Sequence, residues 1–369
     1  AAAKASAAAM LAAEAAADMS KSINYYRRRI TRYLTSTLIK TKNEIPVDLP
    51  EGFEFKKILI SRPNHRLGNL LLITPILEEI AINYPNCKVD IFAKGGLANI
   101  LFSEYKNVNT IYELPRKPFK AIIKYLWIWI KLKSKSYDLV INVVQGSSSG
   151  KIAVKIANAK YKLYNTTIET LKNSISDYSH MAKNTVYNLR NLVDKSSIKT
   201  NTVPCLDLKL SLDELEKGKV LLDKYIQNKK GKTILLFTYA TGAKCYSKDW
   251  WNNFYNSLIN EFNDYNIIEI LPVENVSQIN FKAPSFYSKD VREIAAFIAN
   301  ADIFIGADSG IMHLASASLT TTLGLFSRTN PMIYQPYCNN SMAIDTRIKN
   351  HNDIVEIIKS KLGLVYDLA

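Results

Sequence analysis

Asp308, Ser309, Gly310 and His313 are the residues of this chain whose types and spacing point most directly to chemistry. They stand in ADIFIGADSGIMHLASAS (301–318), where an apolar strand-like run meets a helix through a small, glycine-containing turn. Such a turn aims backbone N–H groups at the helix start toward a ligand, and the helix dipole strengthens their hold on phosphate. Ser309 can add a hydroxyl donor, and His313 falls one turn into the helix, on the face toward a bound phosphate. The structural alternative is that Ser309 only caps the helix and His313 is a surface residue. Spacing alone leaves both readings standing. A second group lies in SRPNHRLGN (61–69), where Leu67-Gly68 reads as a tight turn after a strand. His65 there titrates near neutrality and can take a proton, although a bare loop histidine is as easily structural or exposed. Arg62, Arg66 and, further on, Lys151 offer charge near loop ends to an anionic ligand.

The elements that position these groups follow from pattern. The chain has 369 residues, 47% hydrophobic and 22% charged, an ordinary globular composition with material for two or three cores. Lys and Arg number 48 against 33 Asp and Glu, a net +15 that invites an anionic partner. No RNA-recognition signature, zinc finger or sustained basic–aromatic sheet motif accompanies that charge, so nucleic acid is not the expected partner. Four cysteines, Cys87, Cys205, Cys245 and Cys338, lie far apart without CxxC or metal-ligand spacing, so neither a disulfide scaffold nor a metal site is expected and a reducing compartment fits. No apolar run reaches the length of about 20 residues that spans a bilayer. The alanine-rich stretch 1–18 does not read as a signal peptide and is set aside as an appended extension, with Met19 as the expected natural start. The default address is cytoplasmic.

From Lys56 the chain alternates strands and helices. KKILIS (56–61), KVDIFA (88–93), TIYEL (110–114) and DLVINVV (138–144) read as strands, with helices at about 70–83, 95–104 and in the lysine-rich aromatic stretch between the last two strands. A second half restarts near residue 205: LDLKLS (206–211) leads to a helix at about 212–227. KTILLFT (232–238), NIIEIL (266–271), IFIGA (303–307) and TTLGLF (321–326) follow as strands, with helices at about 249–263 and 290–300. Two α/β halves with a cleft between them are expected, ligands sitting beyond the carboxyl ends of the strands.

Four segments in order carry a family resemblance. ADIFIGADSGIMHLASASLTTTLGLFSRTNPMIYQPY (301–337) is similar to a D-[ST]-G-x-x-H-L-A core followed by a strand, a G/S-x-T-x-P turn and a Tyr-Pro-Tyr-like end. ILISRPNHRLGNLLLITPILEEI (58–80) resembles the same family's opening strand, glycine loop and first helix. YDLVINVVQGSSSGKIA (137–153) is similar to its Y-D-x-V-I-D-x-Q-G stretch, and GAKCYSKDWWNNF (242–254) to its G-A-x-x-K-x-W region. The family is that of the bacterial ADP-heptose:lipopolysaccharide heptosyltransferases, glycosyltransferase family 9, and the resemblance covers about 56–345.

That resemblance implies a GT-B type α/β protein: two Rossmann-like domains facing a central cleft, with 56–205 binding the acceptor and 206–345 the nucleotide sugar. Residues 19–55 would be a basic amphipathic segment and linker, and 346–369 a C-terminal helix near the hinge. It implies an inverting, metal-independent transferase with no cofactor besides its ADP-sugar donor, acting on a lipopolysaccharide core or related glycan at the inner face of the inner membrane. Asp308, Ser309, Gly310 and His313 would hold the donor's diphosphate and sugar, Lys244 the phosphate, with Thr241 and Gly242 joining the cradle. Glu274 is a candidate for the nucleoside hydroxyls, since a carboxylate accepts two hydrogen bonds; it is as easily an exposed loop acid. Gly68, Gln145, Arg62, Arg66 and Lys151 fall on the acceptor side. The family has Asp directly after the glycine, as base for the attacking hydroxyl; here that position is Asn69, and an amide is no base at neutral pH. Asn142 likewise stands where the family often has Asp. Either His65 supplies the base, or the acceptor is activated by its own ionisation, or catalysis is lost and only nucleotide-sugar binding remains. A relative using a different nucleotide sugar is a further alternative.

Two basic stretches complete the sequence. Residues 21–42 contain seven Lys or Arg and no acid beside an apolar helical stripe, and 116–135 contain seven more, again with no acid, interleaved with Phe119, Tyr125, Trp127 and Trp129. Both compositions suit contact with an anionic leaflet; for 116–135 the alternative is an ordinary helix with its aromatic residues in the core.

Overall fold

The computed structural model describes residues 49, 52–117, 120–193 and 202–364. The extension 1–18, the basic stretch 21–42, most of the linker, Phe119 and the passage 194–201 between the halves lie outside the described residues.

The first unit runs β1 (Lys57–Ser61), α1 (Leu67–Leu71), α2 (Thr74–Asn83), β2 (Lys88–Lys94), α3 (Leu97–Leu101), β3 (Val108–Leu114), α4 (Ile122–Lys133), β4 (Ser136–Asn142), α5 (Ser148–Ile156), β5 (Asn158–Leu163), α6 (Glu169–Ser174) and α7 (Lys183–Val193). The second runs α8 (Leu212–Asp223), β6 (Thr233–Phe237), α9 (Lys248–Glu261), β7 (Asn266–Ile270), β8 (Ser285–Phe286), α10 (Val291–Ala299), β9 (Ile303–Ala307), α11 (Gly310–Ala317), β10 (Thr321–Phe326), α12 (Pro331–Tyr334), β11 (Met342–Asp345) and α13 (His351–Lys361).

The strands form two parallel sheets, β3-β2-β1-β4-β5 and β8-β7-β6-β9-β10-β11. Each reverses its strand order once, between β1 and β4 in the first sheet and between β6 and β9 in the second. Crevices beyond the carboxyl ends of strands at such reversals are where open α/β sheets bind ligands. Burial on both faces explains why the strands read as continuous apolar runs. In β1, Ile58 and Ile60 enter a cluster that runs into the second unit, while Leu59 packs outward against α4 and α5. In β6, Leu235 and Phe237 join that same inner cluster, and Ile234 and Leu236 pack outward with α9 and α13.

Several expectations need revision. The helix expected over 70–83 is two, α1 and α2. Pro75 has no N–H for the Leu71 carbonyl, and the Thr74 hydroxyl donates to it instead at 2.8 Å, turning the chain. LDLKLS (206–211) joins no sheet, and Lys209 within it takes a left-handed φ of 55°. It runs between the units, with Leu206 and Leu208 buried, the Asp207 N–H donating to Thr74 Oγ1 and Tyr105 donating to the Asp207 carbonyl. The absence of a disulfide is also overturned: Cys205 and Cys338, 133 residues apart, are bonded with their Cα atoms 5.9 Å apart. Cys205 opens the second unit and Cys338 lies in the turn after α12, at a left-handed φ of 65°. Only the fold brings them together, so sequence spacing carries no trace of the pair. Cys87 and Cys245 are free thiols. Among the described residues no helix is long and apolar enough to cross a membrane.

Candidate active site

Four loops meet at the two strand-order reversals, and they carry most of the residues singled out in the sequence. The loop after β6 turns through Gly242, whose φ of +65° suits glycine, into a single 3₁₀ turn, Gly242–Lys244, with Thr241 extended and exposed before it. The Lys244 ammonium donates to Asp308 Oδ2 at 3.0 Å, and Thr329 donates to the same oxygen at 2.6 Å. Asp308 ends β9 and is buried; Ser309 caps α11, accepting from the Met312 N–H at 3.3 Å. Capping uses an acceptor lone pair of Ser309 and leaves its hydroxyl hydrogen to donate. The cap is therefore compatible with a donor role for the same hydroxyl.

His313 is not on the surface. Its ring is buried against the first unit, and a Cβ on Gly68 would stand 2.6 Å from its Cδ2. Gly310 also approaches Leu67 and Gly68 closely, a Cβ there lying 3.2 Å from Leu67 Cβ. Gly68 lies within α1 rather than in a tight turn, so what requires glycine is the approach of the two units. Burial pushes the His313 imidazole down to about 4, against the pull of Asp308 and with His180 and Lys244 adding to the lowering. His180 is also buried and lowered to about 4, chiefly by burial. Its Nδ1 accepts from the Ala182 N–H, so Nε2 carries the proton and donates to the Gln335 carbonyl of the second unit at 2.9 Å.

In the first unit, Arg62 follows β1 and is only 6% exposed. Its Nε donates to the Asn69 carbonyl at 3.1 Å, and no acidic side chain pairs with it among the described residues. Burial lowers its pKa to about 10, with the nearby Tyr334 opposing, so it keeps its charge near neutral pH. His65 and Arg66 are exposed on the same loop. Burial, then Lys94, Arg116 and Arg66 in that order, lower the His65 pKa and favour the neutral imidazole. Lys94 ends β2 and Arg116 follows β3, so the cations around His65 come from three neighbouring strand ends.

After β4, Gln145 is exposed and accepts from Thr167 at 3.2 Å, while Lys151 lies in the first turn of α5, which Ser147 caps. Asn142 has a structural role. Its amide donates to the carbonyls of Val144 and Tyr164 at 2.7 and 3.2 Å, which an ionised Asp would repel. Glu274 is exposed in the turn after β7 and is not drawn into the group. The buried acid nearby is Glu269 on β7, which accepts from Thr238 at 2.6 Å and whose pKa burial raises.

Sequence reasoning missed four participants: Thr329, Tyr334, Lys94 and Arg116. Thr329 was within reach, since it is the threonine of the G/S-x-T-x-P turn. Tyr334, Lys94 and Arg116 join the site only through tertiary contact.

Two Rossmann-like units that meet at their strand-order reversals make the GT-B architecture, and a lysine–aspartate pair lies beside a helix start at their meeting. Known proteins with which the chain can be compared point the same way. Residues 288–361 match the model of glycosyltransferase family 9 (heptosyltransferase). Lipopolysaccharide heptosyltransferase 3 of Escherichia coli is 23% identical over 303 residues, 74% of this chain and 84% of its own length. Among solved structures, the glycosyl transferase family 9 protein from Veillonella parvula DSM 2008 superposes with a TM-score of 0.64 at 16% identity, over 85% of this chain and 91% of that one. The E. coli heptosyltransferase WaaC with ADP gives 0.62 at 17% identity, over 83% and 99%. These likenesses support the heptosyltransferase family for this chain, the family-model match itself covering residues 288–361.

Proposed function

We propose that this protein transfers a heptose from ADP-heptose to a hydroxyl of a lipopolysaccharide core or related surface glycan, with inversion at the anomeric carbon. The observation that carries the reading is the meeting of the loops after β1 and β9, where Gly310 and His313 lie against Leu67 and Gly68, so that the loop with Asp308, bonded to Lys244 and Thr329, adjoins the loop with Arg62 and His65. Two relatives from E. coli, a heptosyltransferase bound to ADP and a lipopolysaccharide heptosyltransferase, support the donor and acceptor classes.

In the reaction, the acceptor oxygen attacks the anomeric carbon as the bond from that carbon to the donor's diphosphate oxygen breaks, and the hydroxyl proton passes to a base. His65 is that base in our reading, because it is held neutral on the loop that also carries Asn69. The leaving diphosphate gains charge as the bond breaks. Lys244, the Ser309 hydroxyl and the free N–H groups starting α11 meet it. Arg62, buried and without an acid, takes an anionic group of the acceptor, and Arg66 and Lys151 flank it. We also infer peripheral contact with the anionic inner face of an inner membrane, where a lipid-anchored acceptor would be met; the basic composition of 116–135 supports it.

The test is a donor panel of ADP-heptose, ADP-glucose, UDP-sugars and GDP-sugars, scored by thermal shift and then by nucleotide release with a core acceptor. A shift and turnover with ADP-heptose, both lost in Lys244→Ala, support the reading. Turnover with another nucleotide sugar moves the donor, binding without turnover makes Asn69 the mark of a binding protein, and no shift with any of them overturns the proposal.

A further inference from the structure

The outward face of α4 is apolar. Ile122, Ile123, Leu126, Trp127 and Ile130 are 54%, 83%, 55%, 55% and 59% exposed, and their spacing places them on one stripe. The opposite stripe, Tyr125, Ile128, Trp129 and Leu132, packs on the sheet, with Trp129 against Phe92 at 4.9 Å between ring centroids. Of the aromatic residues, Tyr125 and Trp129 thus pack in the core, whereas Trp127 faces outward. A 12-residue helix of a globular protein seldom exposes five large apolar side chains in a row.

We propose that this face of α4 is the surface by which the protein docks on an anionic lipid leaflet, the apolar stripe lying at the headgroup–acyl boundary. The inference deepens the membrane contact proposed above and rests on it. Charge selects the occupant. Residues 116–135 carry Arg116, Lys117, Lys120, Lys124, Lys131, Lys133 and Lys135 with no acid, and those described are exposed around the stripe. Lys131 lies 5.6 Å from the centre of the Trp127 ring, a cation beside an aromatic ring as interfacial helices carry them. A second copy of this face would bring the same cations into opposition, whereas anionic headgroups neutralise them. At about 18 Å the helix is too short to span a bilayer but long enough to lie along one. Position matters as well. α4 begins on the loop that carries Arg116, whose charge acts on His65 at the cleft. Docking by α4 therefore sets the cleft rim beside the membrane surface, where the sugar end of a lipid-anchored acceptor stands.

The experiment is co-flotation of the full chain with vesicles of phosphatidylglycerol and phosphatidylethanolamine, against phosphatidylcholine alone. Ile123→Glu/Leu126→Glu alters only exposed positions, and its circular dichroism and donor-induced thermal shift check that fold and donor site are intact. We expect retention on anionic vesicles to fall at least about tenfold in the double variant. In wild type, brominated lipid should quench tryptophan emission, and Trp127→Phe should remove most of that quenching. Retention unchanged by the double variant, or quenching unchanged by Trp127→Phe, would overturn the assignment even if another segment holds the membrane. A wild-type dimer dispersed by the double variant, without lipid binding, would make the face a self-interface and overturn it too. Donor binding and turnover on a delipidated acceptor separate these results from a failure of the transferase reading.

Discussion

The two units hold the same strand order yet build their halves of the site differently. The second gathers its group from short, contiguous stretches: Lys244 on one loop, and Asp308 to His313 on another, joined by Thr329. The first collects charge from three separate strand ends, Arg62 with His65 and Arg66 after β1, Lys94 at the end of β2 and Arg116 after β3. Under the proposed function, the contrast follows from what each unit would recognise. A diphosphate can be met by backbone donors and a helix start, which a turn motif specifies, whereas a glycan acceptor presents scattered groups that need scattered partners.

The largest expected effect tests the compact half. Asp308→Ala removes the acceptor shared by Lys244 and Thr329, and kcat/KM for the donor should fall about 10³-fold, read by nucleotide release. A loss no greater than that of an exposed variant such as Glu274→Ala would remove the pair from the donor site. Next comes the base. His65→Ala should lower kcat about 10²-fold with little change in donor KM, and Asn69→Asp in that background should restore part of it. Because the His65 pKa is lowered, the neutral form persists on the acid side of its ordinary 6.5, so the acid limb of the wild-type rate profile should lie below that value. A limb unmoved by His65→Ala would assign the proton elsewhere.

Gly68→Ala probes the seam between the halves. Its Cβ would meet the buried ring of His313, and with both units displaced the rate should drop tenfold to about 10²-fold while each unit stays folded. Full activity would mean that the seam opens freely during turnover. The smallest effect is on stability. His180 and His313 stay neutral in the folded chain down to about 4, whereas the unfolded chain protonates them from about 6.5. Their contribution is intact above 6.5 and declines as pH falls toward 4, by up to about 1.4 kcal/mol per pH unit for each. Urea midpoints between pH 7 and 4.5 should show this slope, and His180→Gln should flatten it.

The same contrast explains what could be read without a structure. The strands buried on both faces were legible as apolar runs, as in TILLF and IFIGA, whereas the six-residue edge strand β5, NAKYKL, half-exposed and polar, was not. The short β8 and β11 were not, having two and four residues and no such run. Asp308 and Ser309 were legible because turn chemistry is local, and Lys244 only through the family resemblance. Lys94 and Arg116 were not, because nothing near them in sequence refers to His65. Gly68 stands out in the sequence but for the wrong reason, because its proximity to His313 spans the two units and a turn is the only local account of it. Asn142 reads in sequence as a departure from a catalytic pattern, whereas two carbonyls in need of donors explain it.

Cys205 and Cys338 give the second unit a property the first lacks. Together with the backbone they make a closed ring that runs from α8 to α12, onto which β11 and α13 then pack. A single backbone cut anywhere on that ring opens it without producing two molecules. The fragments travel together until a reductant parts them, whereas one cut in the first unit has only packing to oppose separation.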